Sequence, residues 1–436
     1  MPKQLRMMGP VPEYPKKITV TKGYAEKSYK EGDKENYIPL LNNYPSKKLG
    51  WEFRKPRKTK HVKGPKGEEI AWRALELEKI NEPCIISSWC MKREFFQKLT
   101  HKQNIYESAP QVVIEAFIRV GANLCPQFIM PSPEVEHIAC DPFNVKVEKN
   151  DQKIDNHVYK SLEDVKDFIE TLPDPETLEK NFNIDIEVDN YAKNLLSLRE
   201  IAHGEILFIG GFGQPDFMGG YTRFGYVNYL TVMGLYPEHI KRYFAYTGEV
   251  ARLQNIAITE AIKKYNLAPF VYGGQDICFN KGPICSLEML DNLYFPHLIK
   301  AVEPLHESGI KIIWHCDGDV RPILDRLIRQ VGVSGLQGFQ EETGCTLEKI
   351  VSHRTKGGKK LIIWGSVSVT RTLPYGKVED IKNDVERCFK IAGPGGGFGL
   401  ASTSSILPET PLPNILAMYE HGLKFGKEFL GTLSES

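Results

Sequence analysis

A repeated alternation of short apolar runs with amphipathic helical segments constrains the fold of this chain most strongly. The apolar runs are near-continuous rather than alternating with polar residues, which is typical of parallel strands covered by helices. Eight such runs predict strands, at residues 83–89, 123–129, 206–211, 270–274, 310–315, 335–340, 361–365 and 398–402. Amphipathic helices lie between most of them, for example at 237–265, 286–306, 322–330 and 378–392. This order predicts an α/β protein, with a (β/α)8 TIM barrel favoured.

A doubly wound open sheet is the second interpretation of the same alternation. No GxGxxG pattern follows the first strand, and the glycines at 210–213 lack the spacing of a dinucleotide-binding turn. Residues 1–66 show no sustained periodicity of apolar residues, and they are expected to form an N-terminal extension wrapped on the barrel. Residues 67–436 are expected to form the barrel itself, with an excursion at 141–190 between the second and third strands.

The composition excludes several classes of protein. Lys and Arg total 56 against 55 for Asp and Glu, so no overall field attracts nucleic acid or an anionic membrane. The amino terminus lacks the apolar core of a signal peptide, and no run of about 18 apolar residues is long enough to span a bilayer. Nine cysteines without a CxxC pair are typical of reduced thiols. A globular cytoplasmic protein is therefore expected.

One cluster of polar residues ends the fifth predicted strand, at 315–319. Alternate side chains of a strand share a face, so His315 and Asp317 are expected to point together and Cys316 to point away. Zinc accepts both imidazole nitrogen and carboxylate oxygen, which favours a metal-binding role for this pair. In the alternative, His315 is a hydrogen-bonded core histidine and Asp317 caps the following helix with Asp319. Capping is the favoured role for Asp319.

Polar or aromatic side chains also follow the other predicted strands, where parallel barrels carry their active sites. They include Trp89, Gln275, Asp276, Gln340, Glu341 and Ser404. Glu341 follows the sixth strand, next to the fifth in a barrel, and is the favoured third metal ligand. Alternatively, Glu341 is a solvent-exposed loop residue, or its negative charge stabilises the first turn of a helix at 346–352.

Several segments resemble the uroporphyrinogen decarboxylase superfamily. They are the His-Cys-Asp-Gly-Asp stretch at 315–319, the Leu-Pro-Tyr-Gly segment at 373–376, the glycine-rich ending at 393–402 and the Pro-Glu-Thr-Pro segment at 408–411. The resemblance runs in order from residue 68 to about residue 430. It implies a (β/α)8 barrel that is usually a homodimer.

The superfamily contains decarboxylases and methyltransferases that serve corrinoid proteins. The decarboxylases hold several carboxylates with an arginine-rich loop after the first strand, whereas this loop carries only Lys92 and Arg93. Family members that methylate thiols carry a His-x-Cys motif at the fifth strand and a further Cys at the eighth. In this chain the two cysteine positions are occupied by Asp317 and Ser404. The sequence is therefore more similar to the O-demethylating, corrinoid-dependent methyltransferases, which carry the HxDGD form.

We therefore expect that His315, Asp317 and Glu341 hold zinc, which polarises the ether oxygen of a methoxylated aromatic. The methyl group then passes to the cobalt of a separate corrinoid protein docked over the barrel mouth. Asp276 and Glu341 are the candidate catalytic residues; Asp276 is a candidate proton donor or substrate contact, and a loop-capping role is its favoured alternative. The candidate substrate-binding residues are Trp89, Gln275, Gln340 and Ser404, with Phe212 and Tyr272 as further aromatic wall residues. A core role is the equal alternative for Trp89, Phe212 and Tyr272.

Other interpretations stay open from the sequence. The methyl donor is an aryl ether, a quaternary amine or another small methylated compound, and Cys316 replaces Asp317 as a ligand if the strand registers differently. A uroporphyrinogen-type decarboxylase is the alternative enzyme. A non-catalytic barrel that binds a partner is the alternative outside enzymes, with the basic stretch 54–63 as a docking element.

Overall fold

The computed structural model describes residues 66–131, 153–154 and 157–435. The predicted extension at 1–66 lies outside the described residues except for Lys66, as does the basic stretch within it. The described helices have these bounds: α1 Gly67–Leu75, α2 Arg93–Thr100, α3 Ala109–Arg119, α4 Leu162–Glu170, α5 Pro175–Asn181, α6 Ile184–Ile201, α7 Phe217–Phe224, α8 Tyr226–Leu235, α9 Pro237–Tyr265, α10 Leu287–Met289, α11 Phe295–Glu307, α12 Leu347–Ser352, α13 Thr372–Tyr375, α14 Val378–Ala392 and α15 Leu412–Glu435. None of them is both long and apolar enough to cross a bilayer.

The described strands are short. They are β1 Leu124–Pro126, β2 Lys153–Ile154, β3 His157–Val158, β4 Leu207–Ile209, β5 Phe270–Gly274, β6 Cys278–Phe279, β7 Gly282–Pro283, β8 Lys311–His315, β9 Gly335–Gln337, β10 Ile362–Val367 and β11 Phe398–Ser402. Seven of them fall within or overlap the predicted strands, which confirms those predictions. The small hairpins β2–β3 and β6–β7 lie outside the eight predicted strands.

The seven strands form parallel sheets. One has five strands in the order β11-β10-β9-β8-β5, and another pairs β1 with β4. All of these pairs are parallel, as the uninterrupted apolar runs predict. The backbone N–H of Tyr272 in β5 donates to the carbonyl of Gly210, just after β4, at 3.0 Å. The protein is therefore a mixed α/β structure built on parallel strands.

The first predicted strand, 83–89, is reduced to isolated bridges. Ile85 bridges Leu400 of β11, and Ile86 bridges Leu124 of β1, both in parallel. The ladder stops there because Ser88 and Trp89 have φ values of 59° and 45°, in the left-handed region that strands do not use.

The predicted helix at 322–330 is also irregular. It consists of a 3-10 turn at Arg321–Ile323 and a π-helical segment at Arg326–Val331. The predicted excursion at 141–190 contains, where it is described, the hairpin β2–β3, the helices α4 and α5 and the start of α6.

Buried apolar side chains form two clusters on opposite faces of the strands. The inner cluster includes Ile86, Leu124, Ile209, Tyr272, Ile313 and Trp364. The outer cluster packs the other strand face against the helices and includes Ile312, Trp314 and Cys316. Because side chains alternate along β8, His315 lies on the same face as Ile313, at the carboxyl end of the inner cluster.

Candidate metal centre

Three side chains converge at the carboxyl ends of β5 and β8. One ligand atom from each of Asp276, His315 and Asp317 lies within 4.8 Å of the others, and all three residues are half-buried. The structure thus brings His315 and Asp317 together, as their strand spacing predicts. It also adds Asp276, which the sequence suggested as a catalytic residue rather than as a ligand.

The close pairing of β5 with β8 positions this group. Gly274 is the register partner of His315, and a Cβ on Gly274 would lie 1.7 Å from the carbonyl oxygen of His315. The absence of a side chain at Gly274 therefore allows the two strand ends to approach. Asp276 follows two residues later, and its Oδ1 accepts a hydrogen bond from the backbone N–H of Asp317 at 3.1 Å. The same Oδ1 lies 3.6 Å from Nε2 of His315.

The other ring nitrogen of His315 contacts Gln337, the last residue of β9. Nδ1 of His315 and Oε1 of Gln337 are 2.6 Å apart, and the hydroxyl of Tyr272 donates to the same oxygen at 2.7 Å. Gly338 comes next, with φ +89°, and a Cβ there would lie 2.2 Å from Nδ1 of His315. The end of β9 is therefore shaped around the imidazole.

The two carboxylate oxygens of Asp317 differ in their hydrogen bonding. Oδ2 accepts a hydrogen bond from the hydroxyl of Ser404 at 3.2 Å. Oδ1 is buried and has no hydrogen-bond partner among the residues that the structure describes. A buried carboxylate oxygen without a partner is costly, and a cation is one group that satisfies it.

The electrostatics of the cluster are those of carboxylates confined next to an imidazole. Burial raises the pKa of Asp317 to about 7, with repulsion from Asp276 adding to it and attraction to His315 opposing it. Burial by itself disfavours a charged imidazole, but Asp317 and Asp276 together outweigh it and raise the pKa of His315. The site therefore concentrates negative charge that a cation would neutralise.

These observations fit a divalent metal ion. One imidazole nitrogen and two carboxylate oxygens are ligands that zinc accepts, and three protein ligands leave a coordination position for water or substrate. The unpartnered Oδ1 of Asp317 supplies the independent test of this fit. A three-ligand set of this kind is typical of catalytic rather than structural zinc sites.

Glu341, the expected third ligand, is engaged elsewhere in the structure. Its Oε1 lies 2.7 Å from a guanidinium nitrogen of Arg387, and its Oε2 accepts from the other nitrogen at 3.1 Å. Oε2 also accepts from the backbone N–H of Leu347 at 2.9 Å, at the start of α12. Glu341 thus contacts a helix N-terminus and Arg387, and the residue that lies beside His315 and Asp317 in the cluster is Asp276.

The expected substrate-binding residues have different positions. Gln275 is buried, and its Oε1 accepts from the backbone N–H of Met218 at 2.8 Å, so it anchors α7. Trp89 is buried against Tyr272, with ring centroids 5.3 Å apart, and donates to the carbonyl of Pro126. Gln275 therefore anchors a helix, and Trp89 packs against Tyr272.

The remaining expected residues divide between the cluster and its surroundings. Ser404 contacts the cluster directly through Asp317, whereas Gln340 takes part in a turn through its carbonyl, which accepts from the backbone N–H of Thr343. Phe212 packs 6.3 Å from Trp314 in the outer cluster.

Within the His-Cys-Asp-Gly-Asp stretch at 315–319 (HCDGD), Cys316 and Asp319 lie apart from the cluster, as the sequence predicts. Cys316 is buried in the outer cluster, on the face opposite His315, and its thiol donates to the carbonyl of Asp317 at 3.2 Å. Asp319 accepts from the backbone N–H of Arg321 at 3.2 Å and pairs with its guanidinium. Asp319 therefore bonds the first N–H of the turn that begins at Arg321, while the N-cap position itself is Val320.

Two stacked tyrosines beside the cluster were not predicted from the sequence. Tyr221 in α7 and Tyr226 in α8 stack with ring centroids 4.5 Å apart and an interplanar angle of 10°. Burial, followed by the charge of Asp276, raises the pKa of Tyr221, and the same two causes raise that of Tyr226. Both hydroxyls therefore stay protonated at neutral pH. Tyr226 is 49% exposed, so the pair borders solvent.

Comparison with known proteins finds similar solved structures but no matching sequence. No protein-family model and no curated protein sequence matches the chain. Among solved structures, a methyltransferase from Methanosarcina mazei is similar, with a TM-score of 0.54 and 19% identity, over 83% of this chain and 99% of the other. At this identity the likeness shows a shared fold.

Proposed function

We propose that this protein is a zinc-dependent methyltransferase that moves a methyl group from a methoxylated aromatic to the cobalt of a corrinoid protein. The observation that carries the proposal is the cluster of Asp276, His315 and Asp317 at the carboxyl ends of parallel strands. The fold shared with a known methyltransferase supports it, and so does the resemblance of the HCDGD stretch to O-demethylating enzymes.

The proposal includes a closed (β/α)8 barrel. Support comes from the bridges of Ile85 and Ile86, which connect the 83–89 segment to both β11 and β1. The hydrogen bond from Tyr272 to Gly210 supplies the connection between β4 and β5. In such a barrel, the cluster lies at the carboxyl-terminal mouth, where loop residues contact substrate.

In this proposal Asp276, His315 and Asp317 hold the ion, and a bound ion supplies a Lewis acid for the ether oxygen. Because a phenol-like leaving group has a pKa of about 10, its oxygen departs poorly without such assistance. Tyr221 and Tyr226 contact the aromatic ring of the donor, and a protonated tyrosine hydroxyl donates a hydrogen bond to the leaving oxygen. Ser404 holds Asp317 in place through Oδ2.

The corrinoid protein would dock over the same mouth, because the methyl group passes from the donor at the cluster to cobalt. A homodimer is part of the proposal through the superfamily resemblance alone.

The alternative decarboxylase function is less well supported. It needs free positive charge after the first strand to hold several carboxylates. Lys92 instead donates to the carbonyl of Pro408 at 2.8 Å and lies 3.4 Å from Glu94. This observation favours the methyltransferase.

Metal analysis tests the proposal. Purified wild-type protein, dialysed after exposure to zinc, should retain about one ion per chain. His315→Ala and Asp317→Ala should lose it, whereas the control Glu341→Gln should retain it, because Glu341 pairs with Arg387. Zinc retained at full stoichiometry in both alanine variants would contradict the ligand assignment.

A methyl-transfer assay tests the reaction itself. Enzyme mixed with reduced cobalamin and methoxylated phenols should produce the absorbance of methylcobalamin and release the phenol. Decarboxylation of a porphyrinogen without any methylcobalamin would establish the alternative enzyme. A quaternary amine as the active donor would retain the methyltransferase and replace the aryl ether.

A further inference from the structure

A single buried amide connects three strand ends beneath the cluster. Gln337 is 1% exposed, and its Nε2 donates to the carbonyl of Thr403 at 2.8 Å and to that of Ser402 at 3.3 Å. Its Oε1 faces the other way, toward His315 and Tyr272. Both ends of this amide are therefore bonded.

The two carbonyls fix which way the amide points. A backbone carbonyl only accepts hydrogen bonds, so the nitrogen of the Gln337 amide has to face Thr403 and Ser402. The oxygen then has to face Nδ1 of His315, and a carbonyl oxygen cannot donate. Nδ1 must therefore carry the proton of the neutral imidazole, which leaves a lone pair on Nε2.

We propose that Gln337 is a positioning residue that fixes His315 as the Nδ1–H tautomer and so presents Nε2 as the metal-binding nitrogen. This inference rests on the proposed function for its metal, although the tautomer is a property of the protein alone. Nε2 lies on the correct side, 3.6 Å from Oδ1 of Asp276. Gly338 makes room for this ring orientation, since a Cβ there would lie 2.2 Å from Nδ1.

Because Gln337 is uncharged, its hydrogen bond to His315 also affects the net charge of the proposed metal centre. Metal-binding histidines commonly donate their second N–H to a carboxylate, which makes the ring a stronger electron donor. An amide oxygen accepts the same hydrogen bond without adding a charge. One neutral imidazole and two carboxylates then balance a divalent ion, so the centre keeps the electrophilic character that ether cleavage needs.

The 15N NMR chemical shifts of the two His315 ring nitrogens test the proposal directly. Metal-free protein labelled with 15N-histidine is measured at increasing pH until the His315 ring shifts stop changing, which marks the neutral imidazole, and the His315 signals are assigned by their loss in His315→Gln. Wild-type protein should show a protonated Nδ1 and an unprotonated Nε2. A wild-type His315 protonated on Nε2 overturns the proposal, and this result needs no variant to fold.

The variant Gln337→Met removes the acceptor while keeping a side chain of similar length. It should shift His315 toward the Nε2–H tautomer and weaken zinc binding by about 10- to 100-fold in a competition assay. An unchanged tautomer with unchanged zinc affinity overturns the positioning role. A wild-type protein that binds no divalent metal but shows Nδ1–H would instead contradict the proposed function and leave the tautomer assignment standing.

Asn255 offers a matched control. Its amide is also fully buried, accepts from the backbone N–H of Gly213 at 2.7 Å and donates to the carbonyls of Gly213 and Ala301. Asn255→Leu should lower Tm, as Gln337→Met does, without changing the tautomer of His315 or the zinc affinity. Equal losses of zinc affinity in both variants would show a structural effect and contradict the proposal.

Discussion

At the scale of single residues, the site depends on buried polar groups in an otherwise apolar surrounding. Within the described part of the chain, Asp317 keeps one carboxylate oxygen without a partner, and Gln337 is buried in the strand β9. Such groups are expensive to bury unless they are paired, so their presence indicates a functional requirement. The polar groups around His315 therefore support a ligand role over that of an ordinary core histidine.

The sequence identified only part of this constellation. His315 and Asp317 could be predicted because a strand places alternate residues on one face. Asp276 was assigned a different role and Gln337 was missed, because their convergence depends on the pairing of β5, β8 and β9, which spacing along the chain does not show. A polar residue inside the apolar run 335–340 was the available signal for Gln337.

The raised pKa values of Asp317 and His315 predict a pH-dependent metal affinity. The pKa of Asp317 is about 7, and that of His315 lies above its ordinary value, so both groups hold protons that zinc has to displace at lower pH. Zinc affinity should therefore increase as the pH rises through 7, with a net release of protons on binding near neutral pH. Calorimetry in buffers of different ionisation enthalpy measures this release.

Ser404→Ala serves as the comparison for this measurement. The Ser404 hydroxyl lowers the pKa of Asp317, so its removal should shift the rise in affinity to higher pH. A wild-type affinity that stays constant between about pH 5 and pH 8 would mean that neither proton competes with the ion.

At the scale of secondary-structure elements, the apolar runs predict the strands well and the irregular segments poorly. The runs at 270–274 and 398–402 coincide with β5 and β11, because a strand buried on both faces leaves a continuous apolar signal. The 83–89 segment shortens to bridges, because positive φ values at Ser88 and Trp89 are not encoded in hydrophobicity. Loop contacts such as that of Glu341 with Arg387 are equally invisible to the pattern.

Gly274→Ala should disrupt the junction of β5 and β8. The added Cβ would lie 1.7 Å from the carbonyl oxygen of His315, which is backbone and cannot move aside without separating the strands. We expect a loss of about 1 to 3 kcal/mol in the free energy of unfolding and a weaker zinc site. Thermal unfolding and zinc competition measure the two effects.

Gly234→Ala is the matched control. A Cβ on this helical glycine meets no atom within 4 Å, so the change should leave zinc binding intact and should not lower stability. Equal behaviour of the two alanine variants would show that close strand approach does not position His315.

The helix pair α7–α8 supplies a prediction about substrate binding. Tyr226 stacks on Tyr221 at 4.5 Å beside Asp276, and Gln275 anchors α7 through Met218. Tyr226→Ala should raise KM for the methyl donor by about 5- to 50-fold through loss of ring contact, with zinc content and Tm little changed. Steady-state kinetics over a range of donor concentrations measures the effect.

Leu235→Ala provides the comparison on the same helix. Leu235 is 65% exposed at the opposite end of α8, so its truncation should leave KM unchanged. If Tyr226→Ala also leaves KM unchanged, the tyrosine pair is not part of the donor pocket.

At the scale of the whole molecule, the candidate site lies at the carboxyl ends of the parallel strands. Asp276 follows β5, His315 ends β8 and Gln337 ends β9, so the same ends of three neighbouring strands build one centre. Parallel strands with helices outside place catalytic groups at these ends in many unrelated enzymes. The general architecture was therefore predictable from the sequence, whereas the membership of the candidate cluster depends on the three-dimensional pairing of the strands.

X-ray absorption at the zinc edge of the wild-type protein tests the central claim most directly. The account predicts a first shell of nitrogen and oxygen only, at about 2.0 to 2.2 Å, with an imidazole signature from His315. A sulfur scatterer at about 2.3 Å would show that a cysteine such as Cys316 binds the ion, and an absence of bound zinc would remove the centre altogether. Either result would contradict an oxygen-rich site built from Asp276, His315 and Asp317.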